Sequence, residues 1–225
     1  MAEELICELN LALTPEETLA EGHIALSRQL AKRHPAVIQL NGVTPRLALA
    51  PHLTIYQVPI RLRDMPGLYD ALARVAANAR PLWLAATEYR YNADEASFEL
   101  RYEAAGELMQ LQDDVLDVAN PLRGDLLLDR DPAGRALREL IKVPGTAGDN
   151  IRRTGFDAVG DPAHGGLFHP HVTINWFEPG TTLDPDSVDR PPISDFDGGF
   201  VALGVYLLGP YGTCPQRLAA LDLAA

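Results

Sequence analysis

Two nearly identical pentapeptides each carry a histidine and a threonine two residues apart. The first is Pro-His-Leu-Thr-Ile at residues 51–55, and the second is Pro-His-Val-Thr-Ile at residues 170–174. Because side chains alternate along a β-strand, the histidine and the threonine of each copy share one face, and the two aliphatic residues share the other. Each pentapeptide therefore predicts a strand that buries its aliphatic side chains and presents an imidazole beside a hydroxyl.

A pair of such strands has the groups that phosphodiester hydrolysis needs. Histidine titrates near neutral pH, so one imidazole can take a proton from water while the other protonates the leaving oxygen. Threonine hydroxyls can donate to the non-bridging phosphate oxygens, where negative charge develops. We therefore predict that His52, Thr54, His171 and Thr173 are the catalytic residues of a metal-free phosphodiesterase with a bell-shaped pH dependence centred near neutrality.

The two His-x-Thr copies, separated by about half the chain, resemble the motifs of the 2H phosphoesterase superfamily, which includes RNA 2′,3′-cyclic phosphodiesterases and 2′-5′ RNA ligases. The resemblance implies one bilobal α+β domain over residues 1–225, with mostly antiparallel sheets, helices packed outside, and a central cleft on a pseudo-twofold axis. It implies cofactor-independent opening of a 2′,3′-cyclic phosphate, with His52 as acid and His171 as base by analogy. The helix-and-loop segment at about 121–168 makes the chain longer than compact members, which leaves the substrate open.

Two polar residues follow the motifs at strand spacing. Tyr56 lies two residues after Thr54, and Asn175 lies two residues after Thr173. Alternation predicts that both face the cleft and contact substrate.

Three further residues could contact other parts of a nucleotide. Arg152 and Arg153 lie in a stretch rich in Gly and Asp, residues 143–168, which we predict to be a loop. They could hold a second phosphate. Tyr211 lies in the turn between the last two predicted strands and could stack on a base.

A metal site is the main alternative function. His169 and His171 have the His-x-His spacing of a chelating strand, and His164 or Asp161 could supply the third ligand that zinc requires. This alternative leaves the pentapeptide at 51–55 unexplained. A third possibility is a non-catalytic nucleotide-binding protein of the same fold, although binding alone does not require two titrating groups.

Composition limits the ligand and the compartment. The 225 residues carry a formal net charge of −12, which argues against a long nucleic-acid surface but allows a local phosphate pocket. No apolar run reaches the roughly 18 residues of a membrane span. The acidic N-terminus lacks the features of a signal peptide. We expect a soluble, cytoplasmic monomer that binds a small nucleotide or an RNA terminus with a cyclic phosphate.

The elements around the motifs are predicted from periodicity and turn residues. Four helices are expected: one opened by Thr14 and Pro15, one at 64–80, one with apolar positions from 108 to 118 that Pro121 ends, and one at 131–142. Strand pairs are expected at 82–91 with 96–103, and at 200–208 with 217–223.

Overall fold

The computed structural model describes residues 4–40, 49–93, 95–184 and 188–224. Within these ranges, nine strands form one antiparallel sheet. The strands in chain order are β1 (Ile6–Pro15), β2 (Ala36–Gln39), β3 (Leu53–Arg61), β4 (Leu82–Leu84), β5 (Ala86–Asn92), β6 (Ser97–Tyr102), β7 (His171–Phe177), β8 (Gly198–Leu207) and β9 (Gln216–Asp222).

The sheet consists of two halves that meet at the pentapeptide strands. Its order is β4-β8-β1-β3-β7-β6-β5, with β9 beside β8 and β2 beside β7. The central strands β3 and β7 pair only at Leu53 and Val172, the middle residues of the two pentapeptides. Each half therefore places its own pentapeptide at the junction, which confirms the predicted bilobal α+β fold with pseudo-twofold symmetry.

Helices cover both halves of the sheet. They are α1 (Glu17–Ala31), α2 (Met65–Asn78), α3 (Gly106–Arg123), α4 (Leu137–Leu140) and α5 (Thr146–Thr154). α3 packs on β3 and on α2, whereas α1 packs on β7. Their apolar stripes are buried against the sheet, as the helical spacing predicts, and include Leu68 and Leu72 of α2 and Leu108, Leu111 and Val115 of α3.

The predicted boundaries of the first and third helices are wrong. α1 begins at Glu17 because β1 continues to Pro15, where Thr14 pairs with β8 and its hydroxyl bonds to the Tyr206 hydroxyl at 2.9 Å. Thr14 is therefore not a helix cap. α3 continues past Pro121 to Arg123, so this proline lies in the last turn instead of ending the helix.

The segment after α3 also differs from its prediction. Of the helix expected at 131–142, only α4 is formed, and α5 lies within the stretch predicted as a loop. A Cβ at Gly148 would lie 2.3 Å from the Val143 carbonyl oxygen, so the close return of the chain onto α5 requires glycine there. The sequence of α5 is polar and contains glycine, so its pattern does not predict a helix, and the helix depends on tertiary contacts.

The acidic N-terminus and the loop predicted around residue 185 lie partly outside the residues that the structure describes. Residues 1–3 of the acidic N-terminus lie outside the described residues, as do residues 185–187. Among the described helices, none has the length and apolar character needed to cross a membrane.

Candidate active site

The two pentapeptide strands open onto one cleft with a volume of about 240 Å³, which His52, Thr54, His171 and Thr173 all line. Each of these four residues is half-buried, whereas the aliphatic residues between them are buried. The structure therefore brings the four predicted catalytic residues together from opposite halves of the sheet.

The pairing of Leu53 with Val172 determines how the four side chains are arranged. In an antiparallel register centred on this pair, His52 lies across from Thr173, and His171 lies across from Thr54. Each histidine is thus opposite the threonine of the other half in this register. A phosphate bound between the strands would contact both halves.

The two imidazoles are anchored in the same way. Nδ1 of His52 lies 2.9 Å from the Ala50 carbonyl oxygen, and Nδ1 of His171 lies 2.8 Å from the His169 carbonyl oxygen. A carbonyl oxygen can only accept, so each Nδ1 carries a hydrogen and donates it. Nε2 is then the ring nitrogen left for chemistry in both halves of the site.

The surroundings of His52 differ from those of His171 in one contact that matters for proton transfer. Nε2 of His52 lies 3.3 Å from the Gly212 carbonyl oxygen, which can accept a hydrogen from the protonated ring. The pKa of His52 is nevertheless lowered, mainly because burial desolvates the imidazolium; the Ala50 and Gly212 carbonyls oppose this effect, and His171 adds to it. A lowered pKa makes His52 a readier proton donor when it is charged.

The same β-bulge occurs in both pentapeptide strands. The register of β3 against β1 skips Ile55, and the register of β7 against β6 skips Ile174. A bulge adds one residue to its strand and so reverses which of the following side chains face the cleft. The residues after each bulge therefore do not follow the simple alternation on which the sequence prediction relied.

The prediction that Tyr56 faces the cleft is wrong for this reason. Tyr56 is fully buried, its hydroxyl donates to the Thr154 carbonyl oxygen, and its ring contacts Phe156. The next residue, Gln57, pairs with Asn10 and lines the cleft in its place.

Asn175 and Trp176 follow the second bulge, and both line the cleft. Asn175 is buried, and its Nδ2 lies 3.4 Å from the Ile38 carbonyl oxygen.

Trp176 corresponds to Gln57, because each is the third residue after the threonine of its motif. Its indole ring lies 4.9 Å from the ring of Tyr211, which also lines the cleft. Two aromatic rings from opposite halves thus form part of one wall.

The arginine pair does not line the cleft. Arg152 and Arg153 lie on α5, where Arg152 bonds to Asp149 and to the Ile141 carbonyl, and Arg153 lies 3.4 Å from Asn150. The prediction that they form a loop is wrong, because these contacts hold α5 against its own segment. Neither side chain is among the residues that line the cleft, so binding of a second phosphate by this pair stays a prediction.

The three histidines of the metal alternative are not gathered at one point. His169 and His171 line the cleft, but His164 is mostly exposed and its Nδ1 pairs with Asp161 at 3.0 Å. In the part of the chain that the structure describes, no three His, Cys, Asp or Glu residues are placed to hold a metal ion.

Charged residues next to the second motif were not anticipated from the sequence. Glu99 and Arg101 of β6 pair with Thr173 and His171 of β7, and both charged side chains line the cleft. They lie 3.3 Å apart and form an ion pair. The sequence predicts the hairpin that contains them, but nothing in it identifies β7 as the neighbouring strand.

The segment at 121–168 supplies a second charged group to the cleft wall. Arg135 donates to Asp131 at 2.6 Å and lies 3.8 Å from Asp157. Burial raises the pKa of Asp157, and Asp131 raises it further. Burial likewise raises the pKa of Glu95, with a smaller contribution from Glu99. The cleft lining therefore holds four carboxyl groups, of Glu95, Glu99, Asp131 and Asp157, and the two arginines Arg101 and Arg135.

No family model matches the sequence, and no curated protein matches it significantly. Solved structures do match the fold. Escherichia coli LigT in its apo form is 12% identical with a TM-score of 0.57, over 98% of this chain and 99% of that chain. TT0787 of Thermus thermophilus is 16% identical with a TM-score of 0.58, over 96% of this chain and 97% of that chain. A further structure described as a phosphoesterase is 12% identical with a TM-score of 0.57, over 99% of this chain and 100% of that chain. Nearly the whole chain thus shares the fold of these structures, two of which are LigT and a protein described as a phosphoesterase.

Proposed function

We propose that this protein is a metal-independent phosphodiesterase that opens a 2′,3′-cyclic phosphate on an RNA end or a small nucleotide. One observation carries the proposal. Two imidazoles from opposite halves of the sheet share one cleft, and each is anchored through Nδ1 to the carbonyl two residues before it. This arrangement leaves two Nε2 atoms to act on one substrate.

In the proposed reaction, a water molecule attacks phosphorus from the side of His171. Nε2 of His171 takes a proton from the water as the new phosphorus–oxygen bond forms. The bond from phosphorus to one ribose oxygen breaks, and Nε2–H of His52 protonates that oxygen. The product is a ribose phosphomonoester beside a free hydroxyl, and each proton transfer contributes about 10² to 10⁴ in rate.

His52 is assigned as the acid because a carbonyl faces its reactive nitrogen. The Gly212 carbonyl oxygen, 3.3 Å from Nε2, can only accept, so it favours the form of the ring that carries a hydrogen there. The hydroxyls of Thr54 and Thr173 would donate to the non-bridging oxygens of the phosphate. These contacts strengthen as charge develops in the transition state.

A nucleotide is the ligand class that the cleft wall favours. The rings of Trp176 and Tyr211 offer apolar faces on which a base can stack. LigT, which has this fold, has been crystallised in complexes with phosphate, 3′-AMP, ATP and NADP+. These ligands all carry phosphate, and three of them are nucleotides.

The test is a hydrolysis screen with and without a strong chelator. The substrates are the four 2′,3′-cyclic mononucleotides, oligonucleotides ending in a cyclic phosphate, 2′-5′-linked oligonucleotides and ADP-ribose cyclic phosphate. We expect hydrolysis of at least one cyclic phosphate at the same rate in both conditions, and none by the double variant His52→Asn/His171→Asn. Activity that the chelator abolishes and zinc restores would support the metal alternative instead. Nucleotide binding without turnover would support a binding protein.

A further inference from the structure

Asn10 of β1 lies at the centre of a hydrogen-bond cluster beneath the first motif. It is fully buried, and its Nδ2 lies 3.1 Å from Thr54 Oγ1 and 2.9 Å from the Gly212 carbonyl oxygen. The same atom is 3.5 Å from His52 Nε2. One amide group therefore contacts the threonine, the histidine and the turn that approaches the histidine.

The hydrogens of this amide can be assigned by counting. The Gly212 carbonyl can only accept, so the atom facing it must be the nitrogen of Asn10, which has two hydrogens. One hydrogen goes to Gly212 and the other to Thr54. Among the described residues, Oδ1 of Asn10 has no hydrogen-bond partner, so the hydrogen bonds of the amide are those of Nδ2.

This assignment determines what the neighbouring groups can do. Thr54 Oγ1 accepts from Asn10, so its own hydrogen remains available for a phosphate oxygen. The Gly212 carbonyl, held at 2.9 Å by Asn10, stays within 3.3 Å of His52 Nε2 and can accept from the protonated ring. A free hydroxyl hydrogen lets Thr54 bind the phosphate, and a nearby carbonyl favours the protonated ring that a general acid needs.

The other half of the sheet is built differently at the equivalent position. Gln57 and Trp176 are each the third residue after the threonine of their motif. Gln57 pairs with Asn10 of β1, and Trp176 pairs with Ser97 of β6, so Ser97 is the equivalent of Asn10. Ser97 has a single hydroxyl hydrogen, and its Oγ donates to Glu99 at 3.1 Å. The cluster around Asn10 is therefore a difference between two otherwise related half-sites.

We propose that Asn10 is a positioning residue that assigns the acid role to His52 by directing the Thr54 hydroxyl toward the phosphate and holding the Gly212 carbonyl against the imidazole. The proposal rests on the proposed function and extends it. Both hydrogens of the Asn10 amide are used by Thr54 and Gly212, so we expect its effect on the substrate to be transmitted through the Thr54 hydroxyl and the His52 ring.

Kinetics of Asn10→Leu, which keeps the size of the side chain and removes both donors, test the proposal. We expect kcat on the best cyclic phosphate to fall about tenfold to a hundredfold, because the variant loses two neutral hydrogen bonds that together position Thr54 and the Gly212 carbonyl, with little change in KM. The Gly212 carbonyl raises the pKa of His52, so releasing it should move the alkaline limb of the kcat profile to lower pH. Ser97→Ala, the matched change in the other half, should leave that limb in place.

A double-mutant cycle separates positioning from a packing defect. If Asn10 acts partly through Thr54, then adding Asn10→Leu to Thr54→Ala should cost much less than Asn10→Leu costs alone. Asn10→Ser, which leaves a smaller polar side chain, serves if the leucine variant does not fold. Fully additive losses, or an alkaline limb that does not move, would overturn the proposal.

An NMR titration of the His52 ring makes this test independent of turnover. If the wild-type protein hydrolyses no substrate of the screen, the proposed function fails, but the His52 pKa can still be measured in the wild type and in Asn10→Ser. A lower His52 pKa in the variant would support the role of Asn10. An unchanged pKa would contradict it.

Discussion

Leu53 and Val172 form the residue pair at which the two halves of the sheet meet, and each lies between the histidine and the threonine of its own pentapeptide. Because both residues are buried, their strands are held at the junction by the core. Thr54, His171 and Thr173 project from strands, and His52 immediately precedes β3, so the pairing of the strands fixes the positions of all four side chains. The following predictions depend on that arrangement.

Replacing either histidine should remove one proton transfer. We expect His52→Asn and His171→Asn each to lower kcat by about 10² to 10⁴. Both side chains are half-buried in the cleft wall, so the melting temperature should change little. Initial rates and thermal denaturation of both variants check this. Near wild-type turnover in both would show that the acid and base are assigned incorrectly.

The pH dependence should reflect the lowered pKa of His52. A general acid must be protonated, so kcat/KM should fall as pH rises through the His52 pKa of the free enzyme, which lies below its ordinary value of 6.5. A bound phosphate anion favours the imidazolium, so the alkaline limb of kcat should lie at higher pH than that of kcat/KM. Superimposable alkaline limbs would contradict this prediction, as would a kcat/KM limb above neutrality.

Tyr56→Phe should affect stability and not catalysis. The change removes the hydroxyl that donates to the Thr154 carbonyl and leaves that buried carbonyl without its donor. We expect a loss of about 1–3 kcal/mol in the free energy of unfolding. Because Tyr56 faces away from the cleft, kcat and KM should stay within about twofold. Denaturant unfolding and steady-state kinetics measure the two effects, and a large rise in KM would restore Tyr56 as a substrate contact.

Gly204→Ala should disturb the floor beneath His52. A Cβ at Gly204 would lie 2.2 Å from the ring of Tyr206, and that ring lies 6.4 Å from the imidazole of His52. We expect a loss of about 1–3 kcal/mol in stability from overpacking, together with a lower kcat. Gly67→Ala is the control, because no atom lies within 4 Å of its added Cβ, and alanine is the better helix former. A stable, fully active Gly204→Ala variant would exclude a supporting role for Tyr206.

His23 should make stability depend on pH below neutrality. Burial lowers its pKa from 6.5 to about 3, and its Nε2 bonds to the Tyr102 hydroxyl at 2.8 Å. Between pH 6.5 and 3 the unfolded chain binds the proton that the folded chain excludes, so stability is constant above this window and falls as pH drops through it. His23→Gln removes the titrating group. Its unfolding free energy should therefore decline less between pH 6.5 and about 4 than that of the wild type, and equal slopes would show that other groups dominate.

The placement of the four motif side chains in one cleft could be predicted from the sequence because it depends largely on local spacing. Residues two apart in a strand share a face in any sheet, so the doubled His-x-Thr motif already predicts two imidazoles and two hydroxyls on the exposed faces of two buried strands. The amphipathic periods of α1, α2 and α3 likewise identify the helices that cover the sheet. These patterns, together with the resemblance of the two motifs to the 2H phosphoesterase superfamily, were sufficient to predict the fold and to place the four motif residues in one cleft.

Only the tertiary structure decided which other residues reach the cleft. The bulges at Ile55 and Ile174 arise from the register of each strand with a partner far away in sequence. The first replaces Tyr56 with Gln57 in the cleft wall, and after the second both Asn175 and Trp176 line the cleft. The same long-range pairing brings Asn10 beneath His52. Strand register is set by contacts between distant segments, and a shift of one residue reverses the face of every side chain that follows. Local spacing in the sequence therefore identifies the motifs, whereas the contacts around them depend on how the strands pair.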